Sequence, residues 1–410
     1  MWFKIYIIVT IYIGSSVASF FGISQETNNF LLSIHYRALP FLLFAIASSS
    51  NYKFKDLEIG LISICFLSLL IAYSIGRSAM LAVSVNNAIE PVFLIALLRT
   101  YKGEYKTFTK KALLYFFLFE CLVAWYEVAT RHLLFADTAK INQDYLDYML
   151  SYEMRAYSLH GHPLQNAFLV SILSYFFLTA KGKIMFRYGL FAIGYITLFA
   201  FNTRSSIYLM ALIFLIVLLR DMNTGRMSSS QKWMAVFVIA VFSLVLSYFV
   251  VKYEFGSRLF SYDLSTKDAS SNTRYMLIGI IMNLPLESFW WGMDAGIDII
   301  RNQYDFYAIE NSLANFIITN GFLYTITWCV LLYFCLKPIN KDKKKFNLSF
   351  LVFFALLNAN NALMTETPII LCYVLALYSL DSLESKKDDL SISRIRFLNE
   401  KKRGGLCPKI

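Results

Sequence analysis

Charge is what this sequence has least of. Only 16% of its 410 residues are Asp, Glu, Lys or Arg, where a soluble domain carries about a quarter. That shortage excludes an ordinary soluble enzyme. Cysteine is scarce as well: Cys65, Cys121, Cys329, Cys335 and Cys372 fall inside apolar stretches and Cys407 in the polar end of the chain. An outer-loop disulfide is therefore excluded, and no pair has the spacing of metal ligands. Asp-x-Asp does not occur, which argues against a metal-dependent transferase of nucleotide sugars. There is also no internal repeat of the kind that marks inverted-repeat transporters.

What is present is apolar. Hydrophobic residues make up 58% and aromatic residues 17%, with a mean hydropathy of +0.54. Twelve stretches approach the ~20 residues needed to cross a hydrocarbon core: 4–22, 31–50, 57–75, 79–98, 112–130, 163–180, 188–202, 205–219, 233–251, 312–336, 348–364 and 368–383. The expected fold is all-α, a polytopic transmembrane bundle of about 12 spans occupying residues 1–383, followed by a basic, disordered tail at 384–410.

The net charge of +11 would read as a nucleic-acid footprint if it were clustered on a polar domain, but its placement excludes that partner. One alternating set of connectors (the amino end, 51–56, 99–111, 181–187, 220–232, 337–347 and the tail) holds 27 of the 38 Lys and Arg. The positive-inside rule then puts both termini in the cytoplasm. Lys341, Lys343, Lys344 and Lys345, with Lys401, Lys402 and Arg403, read as topology signals and contacts to lipid headgroups. Residues 1–22 also have the form of a signal peptide, Lys4 preceding an apolar run that ends in small residues from Ser16 to Ser19. Removing it would leave the loop assignment unchanged.

Most connectors are short, but two on the outer face are long, 131–162 and 252–311. Loops of this length are uncommon unless they have work to do. Within the second, Tyr275 to Leu284 is apolar, preceded by Ser270, Ser271 and Asn272 as caps and stopped by Pro285. It is too short to span, so the expectation between spans nine and ten is a helix lying at the interface, with Trp290 and Trp291 in the aromatic belt.

Polar side chains at membrane depth are costly and point to function. Arg37, Arg77, Arg155, Arg204 and Arg274 all lie near outer span ends, where topology disfavours positive charge. Any one of them reads equally well as a snorkelling side chain or half of an ion pair. Together, their planar forks match the oxygens of a phosphate-bearing lipid. Arg155 opens a run containing His160, His162, Pro163 and Asn166 that leads into span six, and Pro163 suits a first helical turn. Both histidines can bond sugar hydroxyls or titrate near neutrality, although a loop histidine is usually just solvated. Glu310 precedes Asn311, Asn315 and Thr319, a stripe at a spacing of four that reads either as a cavity lining or as interhelical glue. Glu310 itself sits at a helix amino end, where a carboxylate is favoured and can act as a base. Asn86, Asn87, Glu90, Glu120 and Glu127 add polar groups inside the bundle, as do Asn358, Asn360 and Asn361 in span eleven. A buried acid such as Glu90 or Glu120 is more often neutral or paired than catalytic.

This pattern resembles the O-antigen polymerase and O-antigen ligase superfamily of bacterial envelope glycan enzymes. The features that carry the likeness are the Arg-x(7)-Pro-x-x-Asn run from Arg155 to Asn166, the Thr203-Arg204-Ser205 opening of span eight, the Arg274 helix ending in Trp291-Gly292 with Asp294-Ala-Gly296 after it, and Glu310-Asn311 followed by Gly321. The resemblance implies a multi-pass glycosyltransferase of the bacterial inner (plasma) membrane, its active site facing the periplasm or exterior. Its donor would be a polyprenyl diphosphate-linked oligosaccharide, with Arg155, Arg204 and Arg274 on the diphosphate and Asn166, Asn311 and Asn315 lining the cavity. Glu310, or one of His160 and His162, would be the base. The likeness implies no metal or other cofactor. The ligase branch has a histidine where Glu310 stands, so the polymerase branch is favoured, its product O-antigen, capsule or another exopolysaccharide. A chain-length regulator and a flippase would be partners, with the surrounding lipids. The rival readings are a ligase, a lipid-linked oligosaccharide flippase or other transporter, and a lipid-dependent transferase using Glu26, the one acid of the first outer loop.

Overall fold

The computed structural model describes residues 2–21, 46, 54–74, 85–100, 105–135, 154–180, 182–224, 227–230, 232–233, 248, 269–293, 296–304, 309–340, 342–364 and 367–380, and of residues 19, 69, 71–73, 85, 86, 100, 269–275 and 364 the backbone alone. Among them every regular element is a helix. Spans expected at 31–50 and 233–251, the start of 79–98, Arg37, Arg77 and the tail 384–410 lie outside the described residues, apart from isolated positions.

In chain order the helices are α1 (Trp2–Tyr12), α2 (Ser15–Phe20), α3 (Asp56–Ser74), a π-helical turn (Val85–Ile89), α4 (Glu90–Thr100), α5 (Lys106–Thr130), α6 (Pro163–Thr179), α7 (Ile184–Ala200), α8 (Arg204–Asn223), α9 (Ala269–Met282), α10 (Leu286–Trp291), α11 (Gly296–Tyr304), α12 (Ser312–Asn320), α13 (Phe322–Leu336), α14 (Lys343–Leu357) and α15 (Ile369–Leu380). Two of them are buried all round, α6 from Pro163 to Leu178 and α15 along its whole length. Helices without a polar face belong in the middle of a bundle; α6 and α15 pack on each other, with α5, α7, α8 and α14 around α6.

The outer helices are apolar on both faces. On α8, Ile207, Met210, Ile213 and Val217 are buried while Tyr208, Leu212, Leu215, Ile216 and Leu219 are exposed. On α5, Tyr115, Phe119, Leu122 and Tyr126 are exposed in the same way. Exposed apolar surface on this scale needs a non-aqueous neighbour. Three helical stretches, Lys106–Thr130, Arg204–Asn223 and Phe322–Ile339, are long and apolar enough to cross a membrane. Close approach between helices uses small residues: a side chain at Gly194 on α7 would run into Ser174 on α6 and Phe117 on α5. At the far end of this group Arg187 donates to the Leu178 carbonyl and pairs with Asp221 at 2.9 Å, tying α6, α7 and α8 together.

Several expected spans are interrupted, each for a local reason. The stretch 4–22 breaks at Ile13–Gly14, where a side chain on Gly14 would collide with Leu159 and His160. The stretch 79–98 contains the π turn and Pro91. Pro91 has no N–H to give the Asn87 carbonyl one turn back, and the Trp328 indole donates to that carbonyl instead, at 3.2 Å. The stretch 348–364 stops as a helix at Leu357. The stretch 312–336 is not one helix but two, α12 and α13, broken at Gly321 with φ +86°. There Gly292, also at positive φ (+82°), lies against the Thr319 carbonyl while Gly321 lies against that of Trp290. Met293 N–H bonds the Ile318 carbonyl at 2.8 Å. Only residues without Cβ permit this approach.

The interfacial helix begins earlier than its apolar run, at Ala269, so Ser270, Ser271 and Asn272 lie inside it rather than capping Tyr275. Leu277 and Ile280 of α9, Ile300 of α11 and Ile309, Ala314 and Ile318 beside or on α12 form a satellite core. Trp290 and Trp291 are exposed at the end of α10, where Phe289 stacks on Phe322 at 5.1 Å.

Candidate functional site

One end of the bundle gathers most of the expected residues. His162 is the N-cap of α6: its Nδ1 accepts from Leu164 N at 3.2 Å and Pro163 follows at the first helical position. Immediately before it, residues 154–161 cross the hairpin of α7 and α8. Ala156 N bonds the Ala200 carbonyl at 3.0 Å and Arg155 Nε bonds that of Phe201 at 3.3 Å. The hairpin turns through Asn202, which takes a left-handed φ of 51°, and delivers Arg204 as the first residue of α8. Arg155 and Arg204, some fifty residues apart in sequence, therefore flank the same turn.

The cross-over is held from beneath by Glu127, in the last turn of α5. Its Oε2 accepts from Tyr157 N at 2.8 Å and Ser158 N at 2.9 Å, and its Oε1 from Leu134 N at 2.9 Å. Asn166, expected to line a cavity, is buried in α6 and its Nδ2 donates to the Tyr157 carbonyl. Ser158 adopts a left-handed φ of 42° and Gly161 one of 73°.

The two histidines part company. His160 is buried, its Nε2 at 3.2 Å from the Ile11 carbonyl and its ring edge-on to Phe116. Its carbonyl accepts from Ser15 Oγ at 2.8 Å, so the residue fills the break between α1 and α2. His162 instead meets charge. Burial and the neighbouring Arg155 push its imidazole down to about 4, while Glu310 acts in the opposite direction. Arg155 and Glu310 thus both lie within electrostatic reach of His162.

Glu310 is half-buried and leads into α12. The Asn311 side chain caps that helix, accepting from Ala314 N at 3.0 Å. Ser312 donates from both N and Oγ to the Asn360 carbonyl, each at 2.7 Å, and its Oγ accepts from Leu363 N at 3.2 Å. The Asn87 side chain completes the knot by donating to the Leu363 carbonyl at 2.6 Å. The stripe read as glue between helices is mostly local: Asn315 Nδ2 bonds the Ile309 carbonyl at 3.0 Å and Thr319 Oγ1 the Asn315 carbonyl at 2.7 Å. In span eleven Asn360 is buried in the Ser312 knot, whereas Asn358 is exposed and bonds back to Phe354. Thr367 bonds Gln165, which joins this end of α15 to that of α6.

Arg274 lies on α9, which packs on α12 through Leu277 and Ile280; its side chain is outside the described atoms. The contributions of Glu127 and Ser312 exceed what their sequence positions announce. A signal exists for Glu127, because a carboxylate in the last turn of a helix opposes the dipole and must be held by other donors. For Ser312 there is none. Glu90, taken as a buried neutral or paired acid, accepts from Tyr6 Oη at 2.7 Å.

No protein-family model, curated protein or solved structure matches this chain.

Proposed function

We propose that the protein is a surface-polysaccharide polymerase, a membrane glycosyltransferase that joins polyprenyl diphosphate-linked repeat units on the outer face of the bacterial plasma membrane. The observation that supports this most is that Arg155 and Glu310, far apart in sequence, both come within electrostatic reach of His162, with Arg204 across the Phe201–Thr203 turn. Fixed guanidinium groups suit a departing diphosphate, and electrostatic stabilisation of that kind commonly does more for the rate than any other single effect. In the reaction an acceptor hydroxyl oxygen bonds to the anomeric carbon of the donor. The bond from that carbon to the phosphate oxygen breaks, its electron pair leaves with the lipid diphosphate, and the hydroxyl proton goes to a base.

The geometry favours Glu310 as that base. His162 accepts at Nδ1 from Leu164, so its neutral ring carries the proton on Nε2 and can only donate there. A neutral donor beside Arg155 suits a phosphate or sugar oxygen. A positioned base contributes roughly 10² to 10⁴ in rate.

The test is extension of a purified lipid-linked repeat unit by the protein in proteoliposomes. Wild type is expected to produce a ladder of lengthening glycans. Glu310→Ala and Arg274→Ala are expected to abolish it while remaining in the membrane, and normal long chains from both would refute the assignment. A transferred but never lengthened glycan would instead indicate the ligase reading. Transport has one observation in its favour, the fully buried Glu120 carboxyl midway along α5; flipping of the lipid without glycosidic bond formation would select it.

A further inference from the structure

We infer that Glu127 is the positioning residue of this site: its carboxylate sets the course of the Arg155–His162 segment by gathering backbone amides from both ends of the first long outer connector. The inference rests on the diphosphate reading above for its functional half. Its structural half stands on the hydrogen bonds alone.

Three amides converge on this one side chain, from Leu134 just after α5 and from Tyr157 and Ser158 just before α6. Glu127 is fully buried. A carboxylate accepting several backbone N–H bonds is a strong, charge-assisted anchor, and only its two equivalent oxygens serve donors on both sides. Glutamine has one acceptor oxygen, and its amide N–H₂ would face an N–H donor on the other side.

The anchored residues are the ones that aim the site. Tyr157 and Ser158 follow Arg155 by two and three positions. Together with the Ala156 amide on Ala200 they fix the backbone immediately after the point from which Arg155 reaches Phe201. Ser158 is held in a left-handed conformation, and the turn it makes returns the chain to His162 at the start of α6. Such a conformation costs a non-glycine residue energy and persists where its surroundings impose it. The Asn166 bond to the Tyr157 carbonyl closes the turn from the other side. Glu127 touches no substrate in this arrangement and acts through Arg155 and His162.

The experiment uses the full chain in lipid nanodiscs, with geranylgeranyl diphosphate as the binding probe and amide hydrogen exchange as the structural readout. In wild type, the amides of Leu134, Tyr157 and Ser158 are expected to exchange as slowly as amides in the interior of α5, although none of the three lies in a helix. Exchange at the rate of a free turn overturns the inference without any variant. In Glu127→Gln those amides are expected to exchange at least tenfold faster while α6 amides from Phe168 to Phe177 stay protected, and probe affinity should fall tenfold or more. Arg155→Ala should show a similar loss, and adding Glu127→Gln to it should cost little more. Faster exchange with unchanged affinity, or additive losses in the double variant, would remove the positioning role and leave a plain structural one. If wild type does not bind the probe, the diphosphate reading fails, and Glu127's part in binding fails with it. The exchange data then decide the anchoring separately.

Discussion

The indole of Trp328 donates its Nε1 hydrogen to the carbonyl of Asn87 at 3.2 Å, a carbonyl to which Pro91, one turn on, has no N–H to offer. The bond joins α13 to the π turn, and through the Asn87 side chain to Leu363, Ser312 and the start of α12. Trp328→Phe is expected to destabilise the protein by about 1–3 kcal/mol, the cost of a buried unpaired acceptor, measured by denaturation in detergent. In a Pro91→Ala background the restored N–H competes for the same carbonyl, so the cost of Trp328→Phe should shrink.

At the other end of the bundle, the Arg187–Asp221 pair is buried on both sides. Asp221→Ala strands the guanidinium in the interior, and breaking a buried pair in this way costs about 3–5 kcal/mol. A melting curve showing a loss below about 1 kcal/mol, the range of an exposed pair, would mean that the Leu178 carbonyl and the neighbouring Tyr188 ring suffice to hold Arg187.

Gly292 and Gly321 form a second sensitive point. Alanine at either is strained by its positive φ, about 1–3 kcal/mol, and also drives a methyl group into a facing carbonyl. Because both variants open the same contact, their effects should not add in the double variant. Recovery of folded protein by size exclusion is the measurement.

His162 gives the site a defined response to acid. Its folded-state imidazole titrates near 4, against about 6.5 in an unfolded chain. Above that unfolded value both states are neutral there and the residue contributes no pH dependence. As pH falls from about 6.5 towards 4 the unfolded chain takes up a proton that the folded protein refuses, so stability drops across that window and levels off below it. His162→Gln should flatten this part of the curve of melting temperature against pH. Arg155→Gln, by removing the adjacent positive charge, should move the His162 titration upward, as read by NMR of labelled histidine.

Arg155 and Arg204 are expected not to tolerate lysine. Lysine lacks the planar fork that lets Arg155 bond the Phe201 carbonyl while other N–H groups remain for a phosphate oxygen, and that would let Arg204 grip a phosphate with two parallel bonds. Each Arg→Lys variant should lose roughly tenfold or more in the extension assay, about 1.4 kcal/mol per factor of ten, with little change in thermal stability. Unchanged extension in both would count against a role for these two arginines in holding the leaving group.

Helices whose ends are set by nearby residues were readable in the chain. The span expected at 163–180 is α6 because Pro163 and His162 make its start, and the Asn202-Thr203 turn before Arg204 is where α7 gives way to α8. Features imposed by distant partners were not readable. The break at Gly321 faces Gly292, twenty-nine residues earlier, and the Asn87 carbonyl of the π turn is met by Trp328 far along the chain. That Arg155 and Arg204 flank one turn was not readable either, because the Phe201 carbonyl that joins them lies 46 residues from Arg155. Which histidine faces Arg155 and Glu310 was not readable, because His160 and His162 have the same local sequence character and differ only in what packs against them.

Both edges of the stretch 136–153 are clamped to a single acid, Leu134 on one side and Tyr157 with Ser158 on the other. The backbone that leaves α5 and the backbone that carries Arg155 to His162 are thus set by the same carboxylate. A single substitution in the last turn of α5 therefore reaches the arginine and the imidazole together, although neither touches that helix in sequence.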